Sequence, residues 1–143
     1  MVNKTISHVR FFGVALTLVL IDQVTKFYSQ ITAVDISLGE AVGIKYSVNY
    51  GAGFGILQNQ QPLLIIIGLA VVGYVLYKYQ NLQEGIKLPI ALILGGTVGN
   101  IVDRFVFGYV RDFISIWIWP SFNLADAGIT IGVGWLVWWS FKK

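Results

Sequence analysis

The sequence contains no cysteine and only one histidine, His8, and these absences exclude several kinds of active site. Without cysteine there is no disulfide, no thiolate nucleophile and no zinc site built on cysteine ligands. A site with several histidine ligands is excluded, and a Ser-His-Asp triad would have to use His8, which precedes the first apolar segment. The chemistry must therefore come from other side chains.

Charge is also scarce. Charged residues make up 12% of the 143 residues and hydrophobic residues 56%, whereas soluble domains have about 25% charged residues. The mean hydropathy is +0.72. This number of charged residues is too small to cover the surface of a small soluble domain. We therefore expect several membrane spans. The ten Lys and Arg residues are scattered and form no basic-aromatic stripe, so no nucleic-acid partner is expected.

Four apolar segments predict an all-α membrane protein built as a four-transmembrane-helix bundle. Each segment approaches the roughly 20 residues that cross about 30 Å of hydrocarbon. No linker or repeat divides the chain, so residues 1–143 are interpreted as a single integral membrane domain. The predicted spans are residues 10–29, 62–79, 87–107 and 124–141.

A small extracytoplasmic β-sheet is predicted between helices 1 and 2, within residues 32–58. Apolar and polar residues alternate in Val34–Leu38 and again in Val42–Val48, on either side of Gly39 and Glu40. This pattern is typical of a hairpin. The stretch Phe113–Trp119 also alternates, and we expect it to lie at the membrane interface.

The distribution of Lys and Arg predicts that both termini are cytoplasmic. With four spans, six of the ten cations fall on the side of the termini and four on the opposite side. The first segment, preceded by Lys4, His8 and Arg10, could instead be a secretory signal peptide. No small-x-small cleavage site follows it, so we favour a retained anchor.

Aspartates lie at the outer ends of the spans: Asp22, Asp103, Asp112 and Asp126. Insertion scales assign a cost of about 2.5–3.5 kcal/mol to an Asp at a helix centre, so such residues usually have partners or a function. Asp22 and Lys26 are four residues apart and can pair on one helix face. Asn100, Asp103 and Arg104 share another face, and Gly95-x-x-x-Gly99 and Gly128-x-x-x-Gly132 favour close helix packing.

Several interpretations of this polar cluster remain open. The charges could form a structural ion-pair network, which Asp22–Lys26 and Asp103–Arg104 would suit. Alternatively, Arg104 and Arg111 are too few to neutralise the aspartates at the outer ends, so two carboxylates would share one proton, as aspartic proteolysis requires. A Ser/Lys dyad using Lys26, a cation among the carboxylates, and a small ion- or proton-coupled transporter are further alternatives.

Five blocks in this chain resemble, in order, the signature blocks of the lipoprotein signal peptidase (signal peptidase II) family. The likeness covers residues 10–141. One block departs from the family pattern, since Gly53 stands where the family commonly has Ala, and the loop between Asp112 and Asp126 is short. The blocks are Asp22-Gln-Val-Thr-Lys26, Asn49-Tyr-Gly-Ala-Gly-Phe54, Gly95-Gly-Thr-Val-Gly-Asn-Ile-Val-Asp-Arg104, Val110-Arg-Asp-Phe113 and Phe122-Asn-Leu-Ala-Asp126.

The resemblance implies an intramembrane aspartyl endopeptidase of the bacterial inner membrane, with Asp112 and Asp126 as catalytic aspartates. Such enzymes remove the signal peptide from diacylglyceryl-modified prolipoproteins just before the lipidated cysteine. The resemblance further implies no metal or other cofactor, contact with membrane lipids, and inhibition by globomycin. A monomer is expected. The supporting residues implied are Asp22, Lys26, Asn49, Asn100, Asp103, Arg104 and Asn123.

Overall fold

The computed structural model describes residues 4–39, 41–52 and 56–142. Within these residues there are four α-helices, with one pair of strands between the first and second helices and a second pair between the third and fourth. The helices are α1 (Lys4–Thr32), α2 (Gln61–Lys78), α3 (Glu84–Phe107) and α4 (Leu124–Ser140). Helix α2 runs into a 3-10 turn at Tyr79–Asn81, and α3 follows almost directly.

Three of these helices are long and apolar enough to cross a membrane: Ser7–Thr32 within α1, Gln61–Asn81 and Glu84–Phe107. Helix α4 is comparably apolar, but with 17 residues it is shorter than the roughly 20 that span the hydrocarbon core. Large apolar side chains remain exposed along the helices, for example Leu16, Ile66 and Phe105. Such an apolar exterior is what a lipid environment requires.

The β-sheet has four antiparallel strands in sequence order. Strands β1 (Asp35–Ser37) and β2 (Val42–Asn49) follow α1, and β3 (Val110–Ile116) and β4 (Trp119–Phe122) lie between α3 and α4. The sequence prediction was therefore incomplete: the sheet is not confined to the 32–58 segment, because half of it comes from the connection that was expected only to lie at the interface. Of the predicted turn at Gly39-Glu40, Glu40 lies outside the described residues.

Glycines allow close approach between helices. A Cβ on Gly95 would lie 2.6 Å from the Ala15 carbonyl oxygen of α1, and one on Gly96 would overlap the Ala125 carbonyl of α4. On α4, a Cβ on Gly132 would come within 2.6 Å of the Pro89 carbonyl. The predicted close packing along the glycine stripes is thus present, and α3 is its centre.

The junction between α3 and β3 brings distant polar residues back together. Helix α3 ends at Gly108, whose φ of 78° is in the left-handed region, where glycine has no steric penalty. Its N–H donates to the Arg104 carbonyl, and β3 begins two residues later at Val110. This tight reversal lays the start of β3 against the last turns of α3.

Candidate active site

Polar side chains from α1, α3, α4, β2 and β3 meet at the end of the helix bundle that carries the sheet. Each is held by an element already described, and most are buried. The buried members, all between 0% and 7% exposed, are Asp22, Lys26, Asn100, Asp103, Arg111, Asp112 and Asn123. Buried charged groups need partners. The cluster divides into two parts according to whether the carboxylates are paired with cations or with neutral amides.

The first part is an ion network of two acids and two bases. Lys26 Nζ lies 2.8 Å from Asp22 Oδ2 and 3.4 Å from Asp103 Oδ2. Arg111 contacts both oxygens of Asp103, at 2.7 Å and 3.3 Å, while Asp22 Oδ1 accepts from the Ala125 backbone N–H at 2.9 Å. The four charges balance one another, so this part needs no further counter-ion.

The second part contains Asp112 and Asp126, whose hydrogen-bond partners are neutral amides. Asn123 Nδ2 donates to Asp112 Oδ1 at 2.6 Å, and Asn49 Nδ2 donates to Asp112 Oδ2 at 3.1 Å. Asn100 Nδ2 donates to Asp126 Oδ1 at 2.8 Å. Neither carboxylate has a salt bridge among the described residues within 4.0 Å.

Asn123 links the two carboxylates directly. It is the N-cap of α4: its side-chain oxygen accepts from the Asp126 backbone N–H at 2.9 Å, and Asp126 Oδ2 accepts in return from the Asn123 backbone N–H at 3.3 Å. This capping box fixes Asp126 in the first turn of α4, while the same Asn123 side chain holds Asp112. A single residue, Asn123, therefore connects the two aspartates through hydrogen bonds.

The electrostatic environment favours a proton on this pair near neutral pH. The pKa of the Asp112 carboxyl is raised from 3.8 to about 7, first by burial and then by the negative charge of Asp126. The hydrogen bonds from Asn49 and Asn123 act in the opposite direction, because they favour the ionised form. Two nearby carboxylates without a paired cation rarely ionise together.

A cleft of about 570 Å³ opens beside Asp126, between the sheet and α4. Asn49 and Arg104 also line it, and its other walls are mainly apolar. Arg104 is anchored through its Nη2, which donates to the Gly51 carbonyl at 2.9 Å, while its buried Nε has no hydrogen-bond partner among the described residues. The apolar lining residues are Val110, Ile116, Trp119, Pro120, Phe122, Ala127, Ile129 and Ile131.

The structure brings together all nine site residues proposed from the sequence, with one pairing wrong. The Asp22–Lys26 pair was expected and is present. Asp103, however, pairs with Arg111 and Lys26 and not with Arg104, which contacts the Gly51 carbonyl and lines the cleft. The reason is the Gly108 reversal, which returns β3 to Asp103.

Sequence reasoning missed Arg111 and Gln23. Arg111, which from the sequence was only one of two cations too few to neutralise the aspartates, is 2% exposed, and its Nη2 donates to Gln23 Oε1 at 2.9 Å. Gln23 also donates to Asp103 Oδ1 at 3.0 Å. The apolar neighbours of Arg111 on β3 were the available signal.

Two further observations bear on the site. Gly53, the position that departs from the family pattern, lies outside the described residues. Within the described residues, no three His, Cys, Asp or Glu side chains come together as metal ligands.

Comparison with known proteins decides the family. A family model described as signal peptidase (SPase) II matches residues 14–142. The chain belongs to the signal peptidase II family. Two relatives named lipoprotein signal peptidase illustrate the match. The protein from Halothermothrix orenii is 35% identical over 139 residues, which cover 91% of this chain and 94% of that protein. The protein from Shouchella clausii is 37% identical over 132 residues, which cover 85% of this chain and 85% of that protein.

A solved structure described as a bacterial membrane enzyme superposes on this chain with a TM-score of 0.87 at 29% identity, covering 93% of this chain and 88% of that one. The three apolar helices and these bacterial relatives identify a multi-pass bacterial membrane protein of an aspartic peptidase family. The transporter alternative finds no support in these matches.

Proposed function

We propose that the protein is an intramembrane aspartyl endopeptidase that removes the signal peptide from diacylglyceryl-modified prolipoproteins, cleaving before the lipidated cysteine. Membership of the signal peptidase II family supports the reaction and its substrate class. The single observation that carries the mechanism is the Asn123 bridge, which joins two carboxylates that have no salt-bridge partner among the described residues.

In this proposal Asp112 and Asp126 are the catalytic pair and share one proton. The ionised member removes a proton from a water molecule as that water attacks the scissile carbonyl, and the protonated member donates its proton to the carbonyl oxygen. The aspartate that took the water proton then passes it to the amide nitrogen, while the other aspartate takes back a hydroxyl proton. The C–N bond breaks, the amine and the carboxylic acid are released, and the pair again holds one proton. A pKa of about 7 for Asp112 supports such a shared proton at the pH of most cells. The pair titrates as a unit, so neither role belongs to one aspartate alone.

The supporting residues would act in two groups. Asn49, Asn100 and Asn123 orient the carboxylates through the hydrogen bonds described above, and Arg104 lines the cleft that would receive the substrate. Asp22, Lys26 and Asp103 hold α1, α3 and α4 together beneath the pair, since with Arg111 their charges balance.

The same proposal sets the protein in the membrane. Helix α4 serves as a fourth span, both termini are cytoplasmic, and the sheet faces outward. The catalytic pair then lies near the outer headgroups, where water is available and where a substrate held by acyl chains and an apolar signal helix arrives already aligned. The protein would act as a monomer in contact with lipids and would bind globomycin.

Purified protein should be incubated with a diacylglyceryl-modified precursor and with its unlipidated twin, each with and without globomycin. Cleavage of the lipidated form alone, before the modified cysteine and blocked by the inhibitor, is the expected result. Equal cleavage of both precursors would contradict the lipid requirement. An absence of cleavage by well-folded protein would contradict the proposed function itself.

A further inference from the structure

Arg111 precedes Asp112 on β3 and has no part in the chemistry described above. Its side chain is 2% exposed, and three acceptors from other elements satisfy it: Asp103, Gln23 Oε1 at 2.9 Å and Gln30 Oε1 at 3.1 Å. The guanidinium group also lies 4.3 Å from the centre of the Phe107 ring. One side chain thus joins β3 to both α1 and α3.

The backbone of Arg111 is held as firmly as its side chain. Its N–H donates to Asp103 Oδ2 at 2.9 Å, and its carbonyl accepts from Asn123 Nδ2 at 3.3 Å. The peptide group that leads into Asp112 is therefore fixed by α3 on one side and by the N-cap of α4 on the other. Neighbouring side chains on a strand leave on opposite faces, so Arg111 can restrain the strand without covering the Asp112 carboxylate.

The sheet alone gives this part of β3 limited support. Asp112 pairs with Ser47 of β2, directly beside an irregular stretch of the ladder between Ile44 and Ser47. On the other side, the pairing of β3 with β4 extends only as far as Ile114, opposite Phe122. Asp112 therefore has a strand neighbour on one side only, and that neighbour adjoins a bulge.

We propose that Arg111 is a positioning residue that clamps β3 to α1 and α3 and thereby fixes the Asp112 carboxylate opposite Asp126. This inference rests on the proposed function, in which Asp112 is catalytic. The clamp depends on the planar fork of arginine, which reaches Asp103, Gln23 and Gln30 at once, whereas a lysine ammonium can supply the charge but not that geometry. A displacement of about 1 Å at a reacting group can reduce the rate about 100-fold.

Arg111→Lys tests the clamp because it keeps the positive charge beside Asp103. The matched control is Arg10→Lys, at an exposed position of α1 outside the site. For each variant, kcat and KM on the lipidated precursor, the pH profile of kcat, and the melting temperature in detergent should be measured. We expect kcat of Arg111→Lys to fall about 100-fold while its KM stays unchanged. The pH profile of kcat should be displaced from that of the wild type. Arg10→Lys should behave like the wild type.

A second variant covers the case in which Arg111→Lys does not fold. Gln30→Met removes one acceptor of the guanidinium and leaves every charge in place, so we expect a smaller fall in kcat, again at constant KM. If folded Arg111→Lys or Gln30→Met kept the wild-type kcat, the proposal would be overturned. A loss of activity that followed only the folded fraction, with an unchanged pH profile, would also overturn it. Cleavage by the wild type and by Arg10→Lys separates these outcomes from a failure of the proposed function.

Discussion

Four aspartates of the site have different surroundings, and those surroundings assign their roles. Asp22 and Asp103 contact the ammonium of Lys26, and Asp103 also contacts the guanidinium of Arg111. Asp112 and Asp126 receive hydrogen bonds from amides instead. Two neighbouring carboxylates without a cation partner do not easily ionise together. The latter pair is thus suited to acid-base chemistry.

The raised pKa of Asp112 predicts how activity depends on pH. The dyad needs one proton, and the pair loses it as the pH rises through about 7, the pKa of Asp112 in the substrate-free protein. We therefore expect kcat/KM on the lipidated precursor to decline above this pH, by about tenfold per pH unit once the pair is fully ionised. Steady-state kinetics in detergent should show this limb. A flat profile from pH 6 to about 9 would contradict the shared proton.

The same pKa predicts the stability of Asp112→Asn. Between the unfolded pKa of 3.8 and the folded value of about 7, the folded protein binds more protons, so its free energy of unfolding falls as the pH rises. Asparagine removes this dependence. The variant should gain stability over the wild type across this window, up to about 4 kcal/mol at pH 7 and above. Melting curves of both proteins at pH 5 and pH 8 measure the gain. A variant that was less stable than the wild type, with a larger deficit at pH 8 than at pH 5, would contradict the prediction.

The ion network predicts the opposite behaviour for Lys26. Lys26→Met leaves Asp22 and Asp103 with Arg111 as the only nearby cation of the network, and breaking a buried pair costs about 3–5 kcal/mol. The melting temperature should fall clearly. Lys45→Met is the control, because the Lys45–Asp35 pair is 64% exposed at both side chains and such pairs contribute about 0–1 kcal/mol. Equal melting temperatures for the two variants would argue against a buried network.

Single residues were predictable from the sequence where their partners are close along the chain. The spacing of Asp22 and Lys26 predicts their contact, since both lie on one helix face. The contacts of Arg111 were not predictable in this way, because Gln23 of α1 is 88 positions distant and Asp103 of α3 comes within reach only through the Gly108 reversal. The predicted ion pair between Asp103 and Arg104 was wrong for the same reason, since Asp103 pairs with Arg111.

Among the secondary-structure elements, the start of α4 shows how local sequence positions a catalytic candidate. The pattern Asn123-x-x-Asp126 forms a capping box, which ties the carboxylate to the backbone of its own helix and also fixes the N-cap side chain that holds Asp112. Both acids therefore depend on where α4 begins. Any change that moves this helix end should affect the pair.

Gly96 sets the distance between α3 and this helix end, and its substitution should reduce both stability and activity. In Gly96→Ala the new Cβ would overlap the Ala125 carbonyl and lie 2.8 Å from Ile129 Cγ1, so α4 must shift. Overpacking of this kind costs about 1–3 kcal/mol. Melting temperature and kcat should both fall. Gly73→Ala on α2 is the matched control, since nothing lies within 4 Å of its Cβ; a comparable loss there would contradict this explanation.

The helices could be predicted far better than the sheet. Because burial in lipid requires a continuous apolar segment, apolar runs long enough to span a membrane define the helices within three residues of their observed ends, except that α1 begins six residues earlier than predicted, at Lys4. The alternation in 32–58 predicted β1 and β2. The pairing of β2 with β3 was not predictable, because it joins Val42 to Ile116 across two intervening helices, and no local pattern reports such a contact.

At the scale of the whole molecule, the polar cluster and the sheet lie at one end of the helix bundle, with an apolar cleft beside Asp126. This arrangement places polar side chains beside apolar walls that suit a lipid-anchored peptide. The stability of variants distinguishes a peptidase from a scaffold. In a scaffold the acids would serve only stability, whereas in an enzyme their replacement can leave the fold as stable as before or more so.

The most direct test is the rate at which Asp112→Asn and Asp126→Asn cleave a diacylglyceryl-modified precursor, measured beside Asp35→Asn. Asp35 is an exposed aspartate on β1, so its variant controls for the same chemical change outside the site. We predict that the two site variants lose cleavage by at least about 1,000-fold while neither melts below the wild type, and that Asp35→Asn cleaves like the wild type. Wild-type cleavage by folded Asp112→Asn or Asp126→Asn would contradict the aspartic mechanism.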